Sequence, residues 1–549
     1  MNGPNAYRGA VLALLSLGCA GGPSLPPGDP GRPDIVLVSI DTLRADHLHA
    51  YGNPRETSPF IDGLAARGAQ FTAARSASPW TLPAHTTLLS GQLPSTHLVV
   101  DDTLRLDPAV PLLPEVLGGA GYARAGFVAT LYVSRIFGFE RGFDHFEDFG
   151  LHTERANLAG EVLAEDVVDA ALAWWSEQPP GQPVFLFLHS YDVHYEYDPP
   201  GLYSVRFDRP PLPGDPTYKN YHYFQKHPLD AAALEHQRAQ YDESIRYVDD
   251  QLARLAAQAE AAGRSVRFVI TSDHGEEFGE RGSWGHAHTL YAEQLHIPLI
   301  LSGPGIPAGA RGGGVGTQDI APTVAAWVGA EAALKADGVN LLSEAGAPED
   351  RGFLAETTRF KTARLGLLQG ERRIEWDLRK NNVQMFNVSA DPAEQADIAA
   401  AEPEAVRALQ AGVERALGAP WQAEVDGIIR TDGGVILKDG HQGAKLQVAA
   451  GDRFVVVPFD APLRFERLGQ TVGPFQAAGG ARPGPEACLR YLAGQSASAA
   501  SLSAEQRERL VALGYMQPED EPTDAILAPT PSKTAAACAP PSPSPQGPP

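Results

Sequence analysis

Residues 34–41 read Asp34-Ile-Val-Leu-Val-Ser-Ile-Asp41, a continuous apolar run of strand length that stops at a carboxylate. Side chains alternate across a strand, so an unbroken apolar run is buried on both faces. That is the condition of a parallel sheet covered on both sides by helices. Two more runs have the same texture. Val184-Phe-Leu-Phe-Leu188 ends at His189, and Val266-Arg-Phe-Val-Ile-Thr271 ends at Ser272-Asp273-His274-Gly275. Shorter apolar runs lie at 125–129 and 297–301. Helical spacing appears between them, with Ile61, Leu64 and Ala65 in 58–68, an amphipathic stretch over 161–175, and Ile245, Val248, Leu252 and Leu255 in 241–263. Alternating buried strands and amphipathic helices predict an α/β class, with a central mostly parallel sheet flanked by helices. Open sheets of this kind collect ligands at the carboxyl ends of their strands. An Asp after a strand also serves as a helix cap. Three polar strand ends, at Asp41, His189 and Asp273-His274, point instead to a shared site.

A second stretch bears on chemistry: Trp80-Thr-Leu-Pro-Ala-His-Thr-Thr-Leu-Leu-Ser-Gly91. Pro83 suits a first helical turn, and Gly91 is a natural C-terminal stop. The spacing predicts a short helix over 84–90 with Leu88 and Leu89 inward, and Thr81 just before its N-terminus. Free N–H groups and the positive dipole end there favour an anionic ligand or a Thr alkoxide. A Thr at that position also serves as a plain helix cap.

Together these stretches resemble the sulfatase family of the alkaline phosphatase superfamily. That family places a Cys or Ser, converted to formylglycine, in a Cys/Ser-x-Pro-x-Arg pattern followed by an apolar pair and Ser/Thr-Gly. Here the pattern is Thr81-Leu-Pro83-Ala-His85, then Leu88-Leu89-Ser90-Gly91, with Thr for Cys and His for Arg. Residues 34–52 are similar to the family's first metal-binding stretch. Residues 241–280 are similar to its second, and 385–399, with Asp391-Pro-Ala-Glu394, to its C-terminal segment. The resemblance runs from Asp34 to about residue 400. It implies an alkaline phosphatase-like fold with a smaller C-terminal α+β/β region.

By this resemblance Asp41, Thr81, Asp273 and His274 are metal ligands, and Thr81, His85, His194 and His286 are catalytic. The cofactor implied is a divalent ion, Ca, Mn or Zn, present once or twice. Ca²⁺ favours an all-oxygen shell, so the imidazole of His274 tilts the set toward Mn²⁺ or Zn²⁺. Thr42 stands where the family often has a second Asp. Thr81 cannot become formylglycine by the family's oxidation of Cys or Ser. The resemblance implies a metal-dependent hydrolase of sulfate or phosphate esters with Thr81 as nucleophile. The alternatives are a two-metal phosphodiesterase or phosphoethanolamine-type transferase, and an inactive binding lipoprotein on the same scaffold.

The 549 residues carry a formal net charge of −23. That balance excludes nucleic acid and anionic membrane as charge-driven partners. The expected partner is a small-molecule, glycan or lipid sulfate or phosphate ester. The chain has three cysteines, Cys19, Cys488 and Cys538, without metal-type spacing. Arg8 and the apolar residues 9–18 read as a secretory signal. Cys19 after Leu17-Gly18 resembles a bacterial lipoprotein processing site, and ordinary signal cleavage is the alternative. The expected location is therefore the periplasmic face of a membrane, with contact only through an N-terminal lipid anchor, or otherwise the periplasm or exterior. The expected organisation is a signal over 1–19 and a tether over 20–33, followed by a catalytic domain over 34–400. A C-terminal region over 401–517 would hold a small antiparallel β unit near 428–457 and a closing helix over 503–515. A disordered Pro/Ser/Ala-rich tail would fill 518–549.

Overall fold

The computed structural model describes residues 24–151, 162–209, 226–343 and 351–417 continuously, with residue 224 and shorter stretches between 421 and 507. The expected signal, the tail and most of the expected closing helix lie outside the described residues. Among the described residues, no helix is long and apolar enough to cross a membrane.

An eight-stranded sheet forms the centre. Its order is Gly309–Arg311, Ala69–Phe71, Leu299–Ser302, Val266–Thr271, Asp34–Ile40, Val184–Ser190, Ala123–Val128 and His145–Glu147. The last five strands run parallel, and Leu299–Ser302 is antiparallel to both its neighbours. Alternation across Asp34–Ile40 divides the core. Ile35 and Leu37 join Leu82, Leu88, Leu89 and Val324 on one face. Val36, Val38 and Ile40 join Ile61, Val168, Leu172, Val248 and Leu252 on the other.

Register at the amino end fixes the level of the carboxyl end. Asp34 accepts from Arg264 through both oxygens, at 2.7 and 2.8 Å, and from Val184 N at 2.8 Å, while Asp34 N donates to the Ser265 carbonyl at 2.8 Å. One carboxylate thus pins three central strands together. Ser39 then lies opposite both His189 and Thr271, so the polar ends of the three strands emerge side by side. A misplaced register would scatter them.

Helix Pro59–Arg67 starts with Pro in its first turn. Its open N–H groups are met from a distant helix, Ala231–Ala261, because Asp249 accepts from Phe60 N at 2.9 Å and Ile61 N at 2.8 Å. Burial pushes Asp249 up to about 7 against the pull of those bonds. A carboxyl whose folded value lies above its unfolded value stabilises fully below about pH 4, and that contribution is lost as pH rises through 7. Wild type is therefore expected to lose urea resistance between pH 4.5 and 7.5, and Asp249→Asn is expected to lose less. Equal losses in urea-midpoint measurements would show that Asp249 does not titrate in that window.

Beyond the central sheet, strands Phe353–Thr357, Arg364–Gln369, Arg372–Asp377 and Asn382–Asn387 form an antiparallel meander. Helix Pro403–Leu417 covers it through Leu409, Val413 and Leu417. Further on, strands from Trp421–Ala423 to Leu489–Tyr491 form two antiparallel sheets of five and four strands. The small β unit expected near 428–457 is thus part of a larger β region. The architecture is α/β, with a central mostly parallel sheet flanked by helices and a smaller C-terminal α+β/β region.

Candidate active site

Three strand ends and one helix start converge. Asp41 follows Asp34–Ile40, and its N–H donates to the Ser190 carbonyl at 2.9 Å. Asp273 and His274 follow Val266–Thr271. Helix Thr81–Ser90 supplies Thr81 as its first residue, with Trp80 rather than Thr81 in the cap position. Thr81 Oγ1 lies 3.3 Å from His274 Nε2. His274 Nε2 in turn lies 3.2 Å from Asp273 Oδ2 and 3.7 Å from Asp41 Oδ1. The four residues expected as metal ligands are therefore gathered in one buried cluster.

Backbone geometry aims these groups. Asp273 Oδ1 accepts from Thr42 N at 3.2 Å and His274 N at 2.9 Å, which turns Oδ2 toward the cluster. Thr42 holds a left-handed backbone (φ 55°), uncommon for a β-branched residue. It is tied on three sides, since Thr42 Oγ1 donates to the Val193 carbonyl at 3.0 Å and Tyr241 Oη donates to the Thr42 carbonyl at 2.7 Å. His274 Nδ1 donates to the Gly275 carbonyl at 3.0 Å, so the lone pair of the neutral ring sits on Nε2 beside the two carboxylates.

The other expected histidines fall in two places. His85 lies beneath the cluster. Its Nδ1 donates to the Thr81 carbonyl at 2.9 Å, and its Nε2 accepts from Ser39 Oγ at 3.0 Å. His194 and His286 lie together, both buried, with ring centroids 5.1 Å apart, and His286 is 4.4 Å from the His274 ring. His194 Nδ1 donates to the Tyr195 carbonyl at 2.8 Å, and His286 Nδ1 donates to Glu276 Oε1 at 3.0 Å. At the start of helix Thr81–Ser90, the Arg359 guanidinium sits 4.3 Å from the Trp80 ring centroid and pairs with Asp102 at 2.6 Å.

His189, expected at the shared site as a polar strand end, is there: its Nε2 lies 3.3 Å from Asp41 Oδ2, and neither ring nitrogen has a hydrogen-bond partner among the described residues. One participant, Glu276, carried no sequence signal as a site residue. Glu276 is a loop acid whose role depends on His286, ten residues away.

The electrostatics suit a bound cation. Burial, and then Asp273 beside it, pushes Asp41 well above the carboxylate range. Burial works against the Asp273 charge too, but His274 and His85 hold that carboxyl below the usual range. Burial also opposes charge on His274, yet Asp273 and Asp41 raise it to about 9. A proton thus takes the place between the carboxylates that a cation would fill. Burial pulls His85 and His189 down to about 4 and His194 to about 3, which leaves them neutral donors at neutral pH. Both Asp41 oxygens and Asp273 Oδ2 have no hydrogen-bond partner among the described residues. Buried carboxylate oxygens without partners are costly unless they coordinate. Asp41, Asp273 and His274 each bring a ligand atom within 4.8 Å of the others, so the donor set fits one divalent ion.

Comparison with known proteins accords with this arrangement. The family model for sulfatases matches residues 33–330, more than half of the chain. This chain belongs to the sulfatase family. It is accordingly classed among the sulfatase-family hydrolases of the alkaline phosphatase superfamily. It is 25% identical over 374 residues to the choline-sulfatase of Rhizobium meliloti (strain 1021), covering 57% of this chain and 71% of that one. Across the first five curated relatives it matches, the chain spans between 63% and 76% of their length. Its fold matches the phosphonate monoester hydrolase of Agrobacterium radiobacter, with a TM-score of 0.57, 21% identity, and coverage of 71% of this chain and 96% of that one. It also matches a protein solved in complex with its substrate D-glucosamine-2-N,6-O-disulfate, with a TM-score of 0.59, 16% identity, and coverage of 70% of this chain and 98% of that one.

Proposed function

We propose that this sulfatase-family protein hydrolyses phosphate esters in preference to sulfate esters, with Thr81 Oγ1 as the nucleophile. The observation that carries this reading is the Thr81 hydroxyl at the start of a helix, 3.3 Å from His274 Nε2, with two buried carboxylates beside it. Asp41, Asp273 and His274 would hold the divalent ion, with Thr81 completing the set. When bound there, such an ion supplies Lewis-acid polarisation of the ester and lowers the pKa of a neighbouring hydroxyl.

The chain's own residues account for the rest. The N-terminal position of Thr81 places its oxygen at the positive end of the helix, which favours developing negative charge. Attack forms a bond from Thr81 Oγ1 to phosphorus and breaks the bond to the leaving oxygen. His194 and His286, each with Nδ1–H held by a fixed acceptor, present Nε2 as the proton-exchanging atom. One takes the Thr81 proton, and protonation of the leaving oxygen completes the step. Water then displaces Thr81. The oxygen of a formylglycine hydrate can expel sulfate by collapsing to the aldehyde. Thr81 has no such exit, so its adduct must be cleaved by water, a route that suits phosphoryl groups.

The test is a side-by-side assay with nitrophenyl sulfate, nitrophenyl phosphate and a bis-nitrophenyl phosphodiester. A phosphate ester is expected to turn over at least about tenfold faster than the sulfate, equivalent to roughly 1.4 kcal/mol between transition states. A sulfate preference would overturn the reading. A two-ion phosphodiesterase or phosphoryl transferase is favoured by the closeness of His194, His286 and His274, three neighbouring imidazoles of which His274 lies 3.3 Å from Thr81 Oγ1. Two equivalents of metal per chain, rather than one, would mark that variant.

A further inference from the structure

A cleft of about 300 Å³, which Thr81 does not line, lies between the segment 72–75 that follows strand Ala69–Phe71 and the four-stranded meander. No residue of the cluster described above lines it. Arg75, Arg351 and His296 form its polar part, and Leu368, Val388 and Pro392 its apolar part. Among the described residues, no Asp or Glu lines it, in a chain with 67 acidic residues against 44 basic ones.

Arg75 is the unusual member. It is only 6% exposed, and its Nε and Nη1 have no hydrogen-bond partner among the described residues. The nearest carboxylate to Nη2 is Glu394 Oε1, at 3.7 Å, beyond hydrogen-bond reach. That carboxylate is already engaged. Glu394 Oε1 accepts from Arg373 Nε at 2.7 Å, and Oε2 accepts from Arg373 Nη2 at 2.7 Å and Ala292 N at 3.1 Å. Two guanidinium groups therefore share one carboxylate, and Arg373 takes its bonds. Burial lowers the pKa of Arg75 even with Glu394 nearby. A buried guanidinium offers five donors and needs acceptors. Arg351, whose Nη1 donates to Asp319 Oδ1 at 2.7 Å, adds a second guanidinium to the same wall.

We propose that this cleft binds a small organic anion, its carboxylate or other oxyanion against Arg75 and Arg351 and its apolar body against Leu368, Val388 and Pro392. The volume exceeds what an inorganic ion needs and lies at the small end of ligand pockets. A planar bidentate oxyanion matches the guanidinium fork. Residues 75–80 lead directly from this cleft to Thr81, with Ala77 N donating to Thr317 Oγ1 at 3.1 Å and the Ala77 carbonyl accepting from Glu356 N at 2.9 Å. An occupant would thus brace the segment that leads to Thr81.

Calorimetric titration of the full chain with benzoate, and separately with inorganic sulfate, tests this. One equivalent of benzoate is expected to bind wild type, and Asp273→Asn, altered only at the other site, is expected to bind it equally well. Arg75→Gln is expected to bind it at least about tenfold more weakly. Arg75→Met, of similar volume without charge, serves if Arg75→Gln does not fold, and Arg351→Gln reads the second cation. Unchanged benzoate binding in the folded Arg75 variants would overturn the proposal, as would failure of wild type to bind benzoate. Binding of sulfate alone would overturn the assignment of an organic ligand.

Discussion

Thr81→Ala is expected to lose at least about a hundredfold in turnover of the best ester substrate, the scale seen when an activated nucleophile is removed. The loss should be chemical rather than structural. Ala is the strongest helix former, and the Thr81 hydroxyl makes its one described side-chain contact with His274 Nε2. Thermal stability is therefore expected to change little while the rate collapses. Thr81→Ser, which keeps the hydroxyl and removes only a methyl group, should recover a large part of the rate. Full activity in Thr81→Ala, measured with the protein folded and metal-loaded, would reduce Thr81 to an ordinary first-turn residue and place the nucleophile elsewhere.

Asp273→Ala is expected to strip the metal and abolish turnover. The carboxylate has two separate duties. Its Oδ2 faces Asp41 and His274, while Oδ1 holds the backbone N–H of Thr42 and His274. Removing it leaves two buried donors unmet, each costing about 1–3 kcal/mol. Asp273→Asn keeps an acceptor for those donors but loses the charge, so it separates the two duties. Elemental analysis should find a divalent ion in wild type and little in either variant, while urea midpoints should fall further for Asp273→Ala than for Asp273→Asn. Equal metal content in all three proteins would remove Asp273 from the ligand set.

The central strands could be read because burial on both faces leaves an unbroken apolar run, and their ends could be read because polarity returns abruptly at Asp41, His189 and Asp273. The gathering of Asp41, Thr81, Asp273 and His274 followed from spacing that resembles a known family. Other features depend on distant contacts and left no local trace. Helix Ala231–Ala261 begins ten residues before its apolar period does, because Asp230 caps it by accepting from Ala233 N at 2.8 Å and its first turns are Ala-rich and polar. In the meander over 353–387, Ile374 and Trp376 alternate with Arg373 and Glu375, yet both sets are buried, so the charged positions that read as a solvent face are packed inside by distant contacts. The Glu276–His286 contact joins two loop residues that no periodicity relates. Helix Thr81–Ser90 starts at Thr81 rather than after it, since Trp80, in an extended conformation, takes the cap position.

All ten residues of helix Thr81–Ser90 are buried. An element enclosed on every side has no neutral face on which changes can accumulate, since each substitution alters packing or an internal bond. Drift in substrate choice is then expected to proceed through partly exposed side chains outside the helix that touch the buried histidines. Half-buried Tyr191 and Tyr195 meet that condition, beside His194 with ring centroids at 4.3 and 4.1 Å. A library randomised at those two positions should retain folded members and spread in specificity. One randomised along the helix should return mostly insoluble protein. The helix that carries Thr81 is in this sense closed to gradual change, and new specificities are expected to arise beside it rather than within it.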